Sequence, residues 1–248
     1  MGVFPPPPGT GPGALPMNVK TIHFGDEGQA ATAALLRRLD AAGERLDPAW
    51  AGELHRVLET LDALDRRHGG TGPVPGGEAP DLVDAALTAT AHLENDARRA
   101  RDDAILVEVA ELAIGVALWA IRHDVALRVV EPLANALALR SNAAASKQEL
   151  AAVFGLMQGV IAHVAPGLGA DLERSNPERP WRILHANFAI TAIRTEDPAL
   201  MDHAFDALDR ALPDERAGFY GEALALAMNP RVAPAVRERI EARHAKGA

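Results

Sequence analysis

Five polar side chains interrupt otherwise apolar helical sequence: His92, Asn135, His163, His185 and Asn187. A polar group drawn into a helix-packed core must find a hydrogen-bond partner, so such residues either bond between helices or line a cavity. Two of them fall in the run Trp181-Arg182-Ile183-Leu184-His185-Ala186-Asn187-Phe188. Within two helical turns, Trp181, Arg182, His185 and Asn187 supply an aromatic face, a fixed cation and two hydrogen-bonding groups. These four are the candidate binding surface or pocket.

Patterns that carry familiar catalytic chemistry are missing. The chain has no GxxxxGK[ST] phosphate loop, GxSxG elbow or HExxH zinc helix, and its N-terminal glycines lack the strand and helix that a dinucleotide site requires. Asp102-Asp103 sits where a helix N-terminus favours negative charge. Helical di-metal sites need a Glu-x-x-His pair from each of two helices. Glu241 with His244, and the aspartate analogue Asp65 with His68, place their histidines at basic helix C-termini, where a cation favours the macrodipole. The spacing therefore predicts no metal, no cofactor and no catalytic residue. The absence of cysteine removes disulfides, thiolate nucleophiles and cysteine metal sites together. A formal charge of -9 argues against a broad phosphate-binding surface and hence against nucleic acid as principal partner. The longest apolar run, 112–121, falls short of the roughly 20 residues a membrane span requires. No basic segment precedes an apolar run at the N-terminus. The expected setting is cytoplasmic, without a membrane.

The elements that must position these residues are helices. Hydrophobic residues make up 48% of the 248 and aromatics only 4%, so the core is built from Leu, Val, Ile and Ala. Residues 1–25, with Pro5-Pro6-Pro7-Pro8-Gly9, read as a disordered Pro/Gly-rich tail on which a proline-binding partner could dock. Residues 26–68 form an N-terminal helical hairpin, with helices at 27–42 and 48–68 and Asp47-Pro48 starting the second. A Gly/Pro linker spans 69–79, and the main helical domain covers 80–248. In it, helices are predicted at 81–99 and 102–122. Ile105, Val109, Leu112, Val116 and Trp119 alternate spacings of four and three, which places the second at the centre of the fold. A helix over 124–140 contains Pro132, which either kinks it or restarts it. Ser146-Lys147-Gln148-Glu149 is a capping box opening a helix over 147–164. Gly155 and Gly159 on that helix permit close approach of a neighbour, and a loop follows at 169–175.

After residue 176 a rhythm emerges, with capping residue plus proline at Asn176-Pro177, Asp197-Pro198 and Asn229-Pro230, and Leu212-Pro213 between the last two. Pro177 to Pro213 is 36 positions and Pro198 to Pro230 is 32, the length of a helix pair. Overlaying the latter puts Phe188 on Tyr220, Met201 on Ala233 and Leu208 on Ile240. The stretch 181–212, with Thr195-Glu196-Asp197-Pro198 between two helices, resembles one unit of a HEAT-type or tetratricopeptide-type α-solenoid. That resemblance implies, for 176–248, stacked antiparallel helix pairs with a concave partner-binding face. The expected fold is all-α: antiparallel helix pairs, α-solenoid-like or an irregular multi-helix bundle, of about ten helices. The leading functional expectation is a non-enzymatic scaffold or adaptor for another protein, a basic one complementing the acidic charge. The alternative is a helical-bundle enzyme or small-molecule-binding protein with a pocket lined by His163, His185 and Asn187. A homo-oligomeric structural protein is the third.

Overall fold

A computed structural model of the chain describes residues 28–169, 176, 179–230 and 232–247. The 1–25 tail, the first residue of the 27–42 helix, residues 170–175 of the expected loop and the proline of Asn176-Pro177 lie outside them. The described residues form an all-α fold: α1 Gly28–Ala42, α2 Pro48–His68, α3 Ala79–Ala100, α4 Asp103–Arg122, α5 Glu131–Ala143, α6 Lys147–His163, the single turn α7 Pro166–Gly169, α8 Pro180–Thr195, α9 Pro198–Ala211, α10 Arg216–Ala227 and α11 Pro234–Gly247. Among them the one β-type contact is a parallel bridge between Leu127 and Val164.

The helix starts follow capping chemistry. Asp47 accepts from the amides of Ala49 and Trp50 with Pro48 in the first turn, and Asp197 accepts from Ala199 and Leu200 in the same way. Asp102 caps α4 through the Ile105 amide and also accepts both 2.6 Å bonds from Arg45. The Ser146 hydroxyl accepts from the Glu149 amide at 3.2 Å, while Glu149 reaches back to the Ala145 amide at 2.8 Å. Pro132 marks a restart: the chain leaves helix at His123 and Asp124, the latter at φ 55°, and re-enters at Glu131 with Pro132 in the first turn.

α4 is the centre. It packs against α1, α3, α5 and α6, and Ile105, Val109, Leu112, Val116 and Trp119 are all buried. By length and composition alone it is apolar enough to cross a bilayer. Here just over half of its apolar stretch is buried, against four neighbouring helices. Two glycines allow the approach. A Cβ on Gly115 would meet Leu35 Cδ2 at 2.3 Å, and one on Gly159 of α6 would meet Ile121 Cδ1 at 3.3 Å. The 69–79 segment is tied down at its middle, where the Gly72 amide donates to the Arg122 carbonyl at 2.9 Å.

In the last third, the first turns of α10 fold back on the second half of α9: Arg216 pairs with Asp209 at 3.2 Å, and Tyr220 donates to Asp209 at 3.0 Å near the Phe205 carbonyl. α9 is itself antiparallel to α8, so α8 and α10 run the same way on either side of α9. α11 returns along α9, with Arg239 and Arg243 on Asp202, Asp206 and Asp209. The starts of α8 and α10, and those of α9 and α11, are 36 positions apart. Asn229-Pro230 does not begin a helix. The Asn229 amide bonds the Leu226 carbonyl and the Val232 amide bonds the Asn229 carbonyl, so both residues belong to the reversing turn, and Pro234 takes the first-turn position of α11. The overlay by 32 is thereby replaced by one of 36. This matches Leu184 with Tyr220, Leu200 with Val236 and Ala204 with Ile240, every one buried.

Candidate functional site

α8 presents two apolar faces. Leu184, Phe188, Ala192 and Thr195 are buried between α6 and α9. A second stripe at spacings of four, Arg182, Ala186, Ile190 and Arg194, with Ile193 beside it, lines an open hollow of about 620 Å³. Leu208 and Leu212 of the α9 end form its floor. Phe219, Ala223 and Leu226 of α10 form the far wall, and Val232 with Ile240 of α11 closes one side. Its lips hold large apolar side chains against solvent: Ile190 is 44% exposed and Leu226 77%. Arg182 and Arg194 stand on the α8 wall, and Asp214, Glu215 and Glu222 on the α10 side.

Of the four residues selected from the sequence, only Arg182 lines this hollow. Its Nε donates to Glu215, which also accepts from the buried Arg179, so the α8 start is clamped to the turn before α10. Trp181 and His185 belong to another face. Their rings lie 4.1 Å apart, and His185, itself buried, donates from Nδ1 to the Trp181 carbonyl at 3.1 Å. Among the described residues the buried Trp181 indole nitrogen has no hydrogen-bond partner, and Asn187 is half-buried and does not line the hollow. His163 bonds the Gly159 carbonyl of its own helix at 2.8 Å. His92 is exposed and stacks flat on Trp50 at 3.8 Å. His92, His163 and His185 thus serve separate local contacts.

A denser polar group lies elsewhere, at the junction of α1, α2, α4 and the 69–79 segment. The Asp65 side chain is fully buried. Its Oδ1 accepts from Trp119 Nε1 at 2.9 Å and meets His123 Nε2 at 2.7 Å, and its Oδ2 accepts from Thr32 Oγ1 at 2.8 Å. Arg122 reaches Oδ2 at 3.4 Å, and burial pushes its guanidinium below the usual arginine range, partly offset by Asp65. His123 Nδ1 donates to the Gly72 carbonyl at 2.7 Å, so one proton sits between Nε2 and Oδ1. A histidine–aspartate pair of this kind is the base and orienter of many hydrolases. Here both side chains are 0% exposed, so no substrate reaches them, and the arrangement fastens the linker to the core.

Comparison with protein-family models, with curated proteins and with solved structures finds no match. Among the described residues no three His, Asp or Glu side chains converge to hold a metal. A second hollow, of about 510 Å³, lies over α4, α5 and α6. It is crossed by the Arg140–Glu111 pair at 2.5 Å, and Val107 is the large apolar side chain it exposes. The α8–α10 hollow is larger and shows two such side chains, on facing walls.

Proposed function

We propose that this chain is a non-enzymatic helical adaptor, its last four helices forming a short α-solenoid-like array whose α8–α10 hollow receives an apolar segment of a partner protein. The observation that carries this reading is the pair of lips formed by Ile190 and Leu226, held in water across an apolar floor. Leaving such a surface bare costs about 25 cal/mol per Å², and contiguous exposed apolar surface on a folded protein marks an interaction site. A groove between two parallel helices with a third as floor also suits the helix-in-groove mode of recognition.

The test is site-specific photo-crosslinking in the native host, with the photoreactive residue at Leu226 or, as control, at exposed Glu59 on α2. A discrete protein adduct at Leu226, absent at Glu59 and abolished by Ile190→Asp, is the expected result. Adducts of equal pattern at both positions, or a small apolar molecule copurifying in the hollow, would overturn the adaptor reading.

A further inference from the structure

The two arginines of the hollow differ in one respect that bears on what binds there. Arg182, at one end, is neutralised by Glu215. Arg194, at the other, is held by one nitrogen: its Nη1 donates to the Ser141 carbonyl at 2.8 Å and to Ser141 Oγ at 3.1 Å. Ser141 Oγ in turn shares a 2.8 Å bond with Thr191 Oγ1. The guanidinium is thus fixed on α5, and no carboxylate among the described residues pairs with it. Among the described residues its Nε and Nη2 make no hydrogen bond, and the side chain is half-buried. On the facing wall, Glu222 is exposed and has no cationic partner among the described residues.

The helix directions give these charges an order. Arg182 and Arg194 are twelve residues apart on α8, which at 1.5 Å per residue is about 18 Å, or roughly three turns. Glu222 lies two turns along α10 from the Glu215 end, so it stands nearer the middle of the groove. A fixed guanidinium with one free edge is suited to a carboxylate, which it can bind with two parallel hydrogen bonds. Such a pair, at the end of an apolar floor and partly shielded from water, is stronger than one on an open surface.

The geometry points to a specific occupant: an amphipathic helix of a partner protein, about three turns long, with apolar residues at i, i+3 or i+4, and i+7. One end carries an Asp or Glu that Arg194 binds, and the flank toward α10 carries a Lys or Arg for Glu222. This rests on the hollow being the docking face.

The probe is a displayed library of helical peptides with a constant apolar stripe and randomised flanks, selected against the full chain. Selected peptides are expected to concentrate Asp or Glu at one end. The tightest should lose about tenfold in affinity with Arg194→Gln, a loss of about 1.4 kcal/mol. Binding should return when Arg194→Glu meets a peptide whose acid is changed to Lys. That rescue separates recognition from loosening of the Ser141 contact, which a charge-reversed peptide cannot repair. Peptides that lose binding with Leu226→Asp yet show no acidic preference and ignore Arg194→Gln overturn the anchor while leaving the docking face. Peptides indifferent to both Leu226→Asp and Ile190→Asp overturn the docking face as well.

Discussion

Tyr220 is the one tyrosine of the chain, and it pins α10 to α9. Burial pushes its phenol well above the ordinary range, and the Asp209 carboxylate that accepts its proton adds to the shift. The unfolded chain releases that proton near pH 10, before the folded one does. Above about pH 10 the unfolded state therefore holds fewer protons, and stability falls as pH rises further; below it the contribution is fully present. Alkaline titration of the folded protein should show no tyrosinate absorbance through the pH at which a free tyrosine ionises, the band appearing only with loss of helical circular dichroism. Tyr220→Phe should cost about 1.5 kcal/mol at neutral pH, the worth of a hydrogen bond to a charged acceptor, and should remove the part of the alkaline loss due to the phenol. A tyrosinate band that rises in the folded protein near pH 10 would contradict this assignment. At this scale the sequence was legible only in part. Asp65 continues the stripe Leu54, Leu58 and Leu61, and His123 continues Leu112, Val116 and Trp119. An acid and a histidine each ending an apolar stripe were signals of a buried pair. Nothing in linear spacing says that two such ends meet, because that depends on how α2 crosses α4.

Helices were the most legible objects because their caps are local. Asp47-Pro48, Asp102, Ser146 and Asp197 each sit next to the amides they satisfy, and α2, α4, α6 and α9 begin where these residues place them. Asn229-Pro230 has the same chemistry and starts nothing, since which of two nearby prolines opens α11 depends on burying Val236 and Ile240. α8 escaped a full reading for a related reason. Its four selected residues lie on two faces, and only packing on α6 and α9 decides which face is left over. The crossing of α1 over α4 shows how far one residue governs such packing. Gly115 lets Leu35 lie against the α4 backbone. Gly115→Ala gains about 1 kcal/mol of helix propensity but must displace Leu35, and overpacking of this kind costs about 1–3 kcal/mol. A net loss is expected in chemical denaturation. In a Leu35→Ala background the same change should instead stabilise, because the obstructing methyls are gone. Equal effects of Gly115→Ala in the two backgrounds would show that Leu35 does not occupy this gap.

Across the whole molecule, the buried residues form one connected apolar core from Leu39 to Ile240, with α4 at its middle. Attachment is uneven along it. α3 and α4 are covered by neighbours on several sides, and the 69–79 segment, which the sequence marks as a break, is fastened to α4 through Gly72, His123 and Asp65. α10 and α11 pack chiefly on each other and reach the rest through α9, leaving the face toward α8 open. A protein opens locally in units, at a free energy set by how much apolar contact each unit shares with the remainder. Native-state hydrogen exchange should therefore find the slowest amides in α3 and α4, intermediate ones in α8 and α9, and the fastest among the long helices in α10 and α11. Arg243→Ala, which removes the cation shared by Asp202, Asp206 and Asp209, should speed exchange in α11 and α10 while leaving α3 and α4 unchanged. Uniform acceleration across all helices would mean that the chain opens only as a whole. A graded response would leave α10 as the wall of the hollow free to adjust against α8, which a groove needs if it is to close on a helix.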